Sequence, residues 1–258
     1  MLSNTEQCSC CNRIWASFIF FTRLPLWRLH EPPKESYRTV VEHWPLTGWL
    51  TGGLMAATLY VGSMFLPYIV AVLLAASVRM LLTGALHEDG LADFFDGFGG
   101  GGSDRTRILT IMKDSHIGTY GVLALVLYVL LLASALLSIP AGLAALTILA
   151  ADPFAKMLTA GLITLPYARR EEEAKAKVVY RKMRWQACIG LALQGMLPMT
   201  LFFWLTSLNW WPIVVSPCIM MCFLYIFIRR RLQGYTGDCC GAVCLLVELS
   251  VYLTACAL

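Results

Sequence analysis

Long apolar runs alternate with short polar segments along the whole chain. Seven runs are long enough to cross a hydrocarbon core of about 30 Å as helices; they are 46–66, 68–86, 117–139, 141–165, 186–207, 210–228 and 242–258. The pattern predicts an all-α, polytopic membrane helical bundle of about seven transmembrane helices, the last one short, in a single domain over residues 1–258. Merging 46–66 with 68–86, or losing the last span, is the alternative.

The N-terminal segment, 1–45, follows a different pattern. Its apolar stretch 14–21 is too short to span a bilayer, and its tryptophans suit the headgroup layer; they are Trp15, Trp27 and Trp44. We expect an interfacial segment with one helix lying along or dipping into the inner leaflet.

Two polar segments interrupt the apolar runs. Residues 87–116 form the largest insertion, and the glycine run 99–102 inside it predicts a flexible break. Residues 166–185 mix both signs of charge at helical spacing, which is typical of a solvated loop or helix.

Composition and charge placement support a membrane protein with a fixed orientation. The chain is 58% hydrophobic and 14% charged, with a mean hydropathy of +0.67, which excludes an ordinary soluble domain. Of the 20 Lys and Arg residues, all but Arg79 and Lys156 fall in the segments that share one side if the N-terminus is inside. The positive-inside rule then places the N-terminus, the insertion 87–116 and the loop 166–185 in the cytoplasm, at the inner membrane. The net charge of +4 needs no nucleic-acid partner.

Cysteine spacing offers one metal hypothesis near the N-terminus. Cys8, Cys10 and Cys11 form a C-x-C-C cluster, but no His or second Cys pair accompanies it. Reduced thiols at a frayed end are favoured over a zinc site, because the ligand count is too low.

An acidic cluster at the start of the insertion is the main chemical signal. On a helix, Asp89, Asp93 and Asp96 fall within about 60° of one another, and no Lys or Arg lies three or four residues away to pair with them. Glu88 points about 100° away from Asp89, and His87 lies on the far side. Acids beside hydrocarbon are costly, so we interpret the cluster as a Mg²⁺ or Mn²⁺ site in preference to a solvated helix end.

Basic residues follow the acids and suit a phosphate. Arg105, Arg107 and Lys113 come before the next apolar run, although positive-inside anchoring explains the two arginines equally well.

Further charged residues lie in or beside the apolar spans. Asp238 ends an inner loop, and Glu248 lies within a span, where a lone glutamate needs a partner, with Arg79 and Lys156 as candidates. Lys156 can also pair with Asp152 at i, i+4, as a structural or a substrate-lining pair.

Four blocks of sequence resemble the cobalamin 5'-phosphate synthase family, also called adenosylcobinamide-GDP ribazoletransferases. The blocks are Phe20–Pro25, Gly84–Asp93 with Asp96 and Gly97, Ile111–Ser115 with Gly118, and Thr236–Asp238 with Gly241, Ala242 and Glu248. The resemblance runs over most of the chain. Two departures are Glu88, where the family usually carries an apolar residue, and His116, where an arginine is common.

The resemblance implies a Mg²⁺-dependent transfer in late cobalamin biosynthesis. A hydroxyl of α-ribazole or its 5'-phosphate attacks the cobinamide-side phosphorus of adenosylcobinamide-GDP and releases GMP. The resemblance does not fix the oligomeric state, and a homo-oligomer is one alternative. The candidate residues are assigned to three roles. Metal binding is assigned to Asp89, Asp93, Asp96 and Glu88, phosphate binding to Arg23, Arg105, Arg107 and Lys113, and catalysis to Asp96, Asp238, Glu248 and His87.

Two other functions compete with this one. A CDP-alcohol phosphatidyltransferase also uses spaced aspartates, but its Ala-Arg pair after Asp-Gly is missing here, where Leu91, Ala92 and Asp93 follow Gly90. A cation transporter would place acids deep in facing helices, whereas these acids cluster at one boundary.

Overall fold

The computed structural model describes residues 10–168 and 179–258, and these residues are mostly helical. The expected cysteine cluster includes Cys8, and the loop 166–185 includes 169–178, so both lie partly outside the described residues. Within them, ten α-helices follow one another. They are α1 (Cys10–Phe21), α2 (Trp44–Gly62), α3 (Tyr68–Thr83), α4 (Leu86–Gly100), α5 (Arg105–Lys113), α6 (Thr119–Leu137), α7 (Ala141–Thr159), α8 (Trp185–Leu205), α9 (Trp210–Leu232) and α10 (Gly237–Ala257).

The helical content confirms an all-α, multi-pass membrane bundle. In the described ranges, five helices are long and apolar enough to span a bilayer: α6, α7 with its 3-10 extension to Thr164, α8, α9 and α10. A sixth span results if α3 and α4, which meet at a 90° bend, are taken together. This count is lower than the predicted seven.

Two predicted runs account for the lower number, and the last run differs only in its length. The run 68–86 ends at Thr83, because Gly84 and Ala85 adopt left-handed φ values of 66° and 56° and turn the chain. The run 46–66 becomes α2, but its Trp, Thr and Gly residues keep it out of the set of apolar spans. The last helix is not short: it begins at Gly237 and has 21 residues, and the Thr236 hydroxyl caps the Cys239 amide.

Close backbone contact joins α2 to α7. A Cβ added at Gly48 would lie 2.8 Å from the Cα of Pro153, so only glycine allows this approach. Buried Lys156 pairs with Asp152 one turn away in α7, and Thr51 of α2 donates a 2.5 Å hydrogen bond to Asp152 Oδ2 across the contact. The i, i+4 pairing of Asp152 and Lys156 is as predicted.

The N-terminal segment forms the predicted helix, followed by 3-10 turns at Leu26–Arg28 and Lys34–His43. The Ser17 hydroxyl donates to the Val40 carbonyl at 3.1 Å, and the Phe21 ring stacks on Trp44 with centroids 4.9 Å apart. These contacts hold α1 against the start of α2.

The polar connections meet at one end of the bundle. Arg105 donates to the carbonyls of Leu232 and Ala168, both at 2.7 Å, and Arg231 donates to the Gly102 carbonyl. The glycine run 99–102 is not the flexible break that was expected: Gly99 and Gly100 lie within α4, and a Cβ at Gly99 would collide with the Tyr120 ring. The glycines therefore allow α4 to pack closely against its neighbours.

Candidate active site

Helix α4 carries the four acids of the predicted cluster, and their environments differ. Asp89 is exposed and Asp93 is half-buried, whereas Glu88 and Asp96 are only 6% and 7% exposed. Helix α4 begins directly after the bend at Gly84, and all four acids lie within about its first three turns.

Asp96 is occupied by the start of α6. Its Oδ2 accepts the Gly118 amide at 2.7 Å, and its Oδ1 accepts the Gly121 amide at 2.8 Å. Amides at the start of a helix lack partners within that helix, and the Asp96 carboxylate accepts their hydrogen bonds. Its negative charge also interacts favourably with the positive end of the α6 dipole. Asp96 therefore joins α4 to the start of α6, and its metal-binding and catalytic roles stay predictions.

Glu88 points into the bundle, away from Asp89. Its Oε1 lies 3.8 Å from Nη2 of Arg79, and both side chains are buried. Glu248 contacts the same arginine, which donates to both of its carboxylate oxygens at 2.7 and 2.8 Å. Arg79 is therefore the partner that Glu248 required. Both glutamates are buried beside this arginine, and the metal-binding role of Glu88 and the catalytic role of Glu248 stay predictions.

His87 is also turned inward. Its ring stacks on Trp44 with centroids 5.8 Å apart and an interplanar angle of 9°, and on Phe21 at 6.5 Å. The imidazole is 5% exposed. It packs the N-terminal segment onto α4 on the side away from Asp89, and its catalytic role stays a prediction.

Asp238 is brought to α4 by a glycine contact between helices. A Cβ at Gly90 would lie 3.0 Å from the Asp238 carbonyl oxygen, and a Cβ at Gly241 would lie 3.2 Å from the His87 Cα. The first turn of α10 therefore lies directly against the first turn of α4. Two sequence blocks separated by about 150 residues meet here, which is the central feature of the site.

The acid pair Asp89 and Asp93 occupies the strip of α4 between two neighbours. Asp96 contacts α6 on one side of this strip, and Gly90 contacts α10 on the other. The two acids lie one turn apart on the same face. Among residues 10–168 and 179–258, no three His, Cys, Asp or Glu side chains converge into a metal-binding group. The acids of α4 therefore do not by themselves form a closed metal cage in this part of the chain.

The predicted phosphate ligands are spread around this end of the bundle. Arg105 uses two donors on backbone carbonyls, so it ties α5 to α9. Arg107 and Lys113 are exposed on α5. Arg23 is exposed beside the bend, where its side chain crosses Gly84 close to the start of α4.

His116 lies in the exposed connection before α6 and contacts Asp114. Its ring and backbone nitrogens hydrogen-bond to Asp114 Oδ1 at 2.7 and 3.0 Å, which lowers the pKa of that carboxyl. The pair orders the turn in front of α6.

Comparison with known proteins decides the family. The model of the family "Cobalamin-5-phosphate synthase" matches residues 13–256. The chain belongs to the cobalamin-5-phosphate synthase family. It is 33% identical over 237 residues to an adenosylcobinamide-GDP ribazoletransferase of Shewanella baltica, covering 90% of this chain and 89% of the relative. It is 36% identical over 250 residues to one from Pseudoalteromonas atlantica, covering 94% and 90%. No solved structure matches the chain.

For this member of the cobalamin-5-phosphate synthase family, two features were missed from sequence. One is an aromatic group beside Asp238: the rings of Tyr180 and Tyr235 stack with centroids 6.4 Å apart, and Tyr167 meets Tyr235 edge-on at 5.5 Å. Burial raises the pKa of Tyr180, and nearby charges including Asp238 raise it further. In the sequence, only Tyr235 adjoins one of the blocks that resemble the family, since it directly precedes Thr236. The other feature is the convergence of four helices on Arg79.

Proposed function

We propose that this chain transfers the adenosylcobinamide phosphate group from adenosylcobinamide-GDP to α-ribazole or its 5'-phosphate. An oxygen–phosphorus bond forms between the ribazole hydroxyl and the cobinamide-side phosphorus, the bond to GMP breaks, and the hydroxyl proton passes to a base. The observation that supports the proposal is the close backbone contact between Gly90, which lies between Asp89 and Asp93 in α4, and Asp238 at the start of α10. The names of the curated relatives supply the substrates.

The acid pair fits a magnesium ion. Mg²⁺ is commonly held by one or two carboxylates together with substrate phosphates and water, and it needs no closed protein cage. Asp89 is exposed and Asp93 is half-buried, and the two carboxylates lie one turn apart on the same face of α4. We therefore assign Mg²⁺ to Asp89 and Asp93. When bound, it supplies neutralisation of the diphosphate charge.

The remaining roles follow from position. Asp238, in the first turn of α10 against Gly90, is assigned as the base that takes the hydroxyl proton. Arg23 near the bend, with Arg107 and Lys113 on α5, supplies positive charge for the phosphates. Asp96 fixes the start of α6 against α4, and Arg105 joins α5 to the end of α9.

The orientation is assigned by charge. The segments rich in Lys and Arg join the same end of the bundle as α4, so we place this end in the cytoplasm at the inner membrane. Both nucleotide and ribazole then reach the site from the cytosol, and the lipid bilayer surrounds the apolar helices.

The test is GMP release by purified protein in detergent, supplied with adenosylcobinamide-GDP, α-ribazole and Mg²⁺. We expect GMP to appear only when all three are present. CDP-linked lipid is the matched alternative donor. Release of CMP from that lipid, with no GMP from the cobinamide donor, would contradict the proposal in favour of a phosphatidyltransferase.

A further inference from the structure

A single buried guanidinium joins four helices. Arg79 of α3 is 3% exposed and donates to both oxygens of Glu248 in α10. It also donates to the Tyr128 hydroxyl of α6 at 2.6 Å and lies 3.8 Å from Glu88 of α4. The Tyr252 hydroxyl donates to Glu248 from the next turn of α10.

The helices joined by Arg79 are those that border the acid pair. On α6, Tyr128 is seven residues beyond Gly121, whose amide binds Asp96. On α10, Glu248 is seven residues beyond Gly241, which abuts His87. Seven residues are about two helical turns, on the order of 10 Å, and return to the same face. The arginine therefore holds α6 and α10 on the faces that they present to α4, two turns from the site.

We propose that Arg79 is a positioning residue for the transfer reaction, which sets the separation of α6 and α10 and thereby the alignment of Asp89 and Asp93 with Asp238. This inference rests on the proposed function. The guanidinium suits the task because its two nitrogens serve different helices: Nη1 donates to both oxygens of Glu248 in α10, and Nη2 donates to Tyr128 in α6. Its planar, rigid geometry therefore fixes the direction as well as the distance between the two partners. Glu88 contributes less, since its 3.8 Å separation is too long for a hydrogen bond.

A second buried ion pair provides the contrast. Lys156 and Asp152 of α7 bond to each other and to Thr51 of α2, and all three residues are buried. This pair joins α7 to α2 and makes no hydrogen bond to α4, α6 or α10. Its hydrogen bonds therefore stabilise the bundle without setting the acid pair.

Two variants remove one buried hydroxyl from each cluster and keep the side-chain shape: Tyr128→Phe and Thr51→Val. Three quantities are measured for both: the thermal midpoint, the Mg²⁺ concentration that gives half-maximal GMP release, and hydrogen–deuterium exchange of α4. Loss of a hydrogen bond to a charged group can change a folding or conformational equilibrium by up to about 100-fold. We expect part of this free energy to be lost from the alignment of the site. Tyr128→Phe should therefore raise the half-maximal Mg²⁺ concentration about fivefold and speed hydrogen exchange in α4.

Thr51→Val is expected to lower the thermal midpoint while leaving the Mg²⁺ requirement and the exchange of α4 at wild-type values. Arg79→Lys, which keeps the charge but loses the rigid pair of nitrogens that serves Glu248 and Tyr128 separately, should shift the Mg²⁺ requirement more than Tyr128→Phe does. Equal Mg²⁺ requirements in wild type, Tyr128→Phe and Arg79→Lys would overturn the inference, as would equal shifts in Tyr128→Phe and Thr51→Val. Failure of the wild type to release GMP would instead overturn the proposed function.

Discussion

Helix α4 carries two pairs of acids whose environments differ. Asp89 and Asp93 face an open strip, while Glu88 and Asp96 are buried against a guanidinium and two backbone amides. The residue types are nearly the same, and all four lie within nine residues of one another. Glu88 differs from the open pair in its direction around the helix, whereas Asp96 shares their stripe but lies farther along it, beside the start of α6. One acidic motif therefore supplies both the carboxylates that we propose bind the metal and the carboxylates that fix neighbouring helices.

The largest effect should come from the open pair. Asp93→Asn keeps the shape of the side chain but removes its charge, so we expect GMP release to fall at least about 100-fold. The thermal midpoint should stay within about 1 °C of wild type, because Asp93 is half-buried and lies on the open strip. Wild-type GMP release by the variant would remove Asp93 from the site.

The contact between α4 and α10 comes next. Gly90→Ala places a methyl group 3.0 Å from the Asp238 carbonyl oxygen, so the helices must separate by a few tenths of an ångström. We expect GMP release to fall about tenfold, since alignment of reacting groups is sensitive to such shifts.

Gly53→Ala in α2 is the matched control for Gly90→Ala. Its nearest neighbour would be a Leu149 methyl at 3.9 Å, so the added methyl fits, and activity should be unchanged. Equal activity of the two alanine variants would show that the close approach of α4 and α10 does not matter for the reaction.

A smaller effect is expected at the first buried acid. Asp96→Asn offers one acceptor oxygen to two amides, so one amide of α6 loses its partner. The free energy of unfolding should drop by about 1–2 kcal/mol, as for a lost helix cap, while GMP release at low temperature stays within severalfold of wild type. Chemical denaturation with α6 followed by hydrogen exchange measures the first quantity. A loss of activity as large as that of Asp93→Asn, without loss of stability, would return Asp96 to the metal site.

The smallest effect is expected at the second buried acid. Glu88 has a buried Oε2 with no hydrogen-bond partner among the described residues, and Arg79 keeps Glu248 when Glu88 is removed. Glu88→Met should therefore leave stability unchanged or raise it by about 1 kcal/mol. GMP release should stay within about threefold of wild type. A large loss of activity would show that the charge at Glu88, a departure from the family pattern, serves the reaction.

The sequence was sufficient for the acidic stripe and for the membrane bundle. Helical spacing placed Asp89, Asp93 and Asp96 on one side of α4 and turned Glu88 and His87 away, as the structure has them. Periodicity could not tell which acids would be covered, because α6 and α10 come from distant parts of the chain. Likewise, two cations were candidates for Glu248, and only the packing of α6 against both α3 and α10 selects Arg79.

The bend before α4 was missed for a related reason. Within an apolar run, Gly84 and Ala85 carry no polar signal, and left-handed φ values are decided by the packing on either side of the bend. The same bend turns α4 at 90° to α3 and so presents the acids at the end of the bundle.

Direct metal binding tests the central assignment. Mn²⁺ titration followed by electron paramagnetic resonance would compare wild type, Asp93→Asn and Asp96→Asn in the presence of adenosylcobinamide-GDP. We predict that wild type and Asp96→Asn bind the ion with affinities within severalfold of each other, and that Asp93→Asn binds it at least about tenfold more weakly. Equal affinity in wild type and Asp93→Asn, or loss of binding in Asp96→Asn alone, would contradict the assignment of the metal to the open pair.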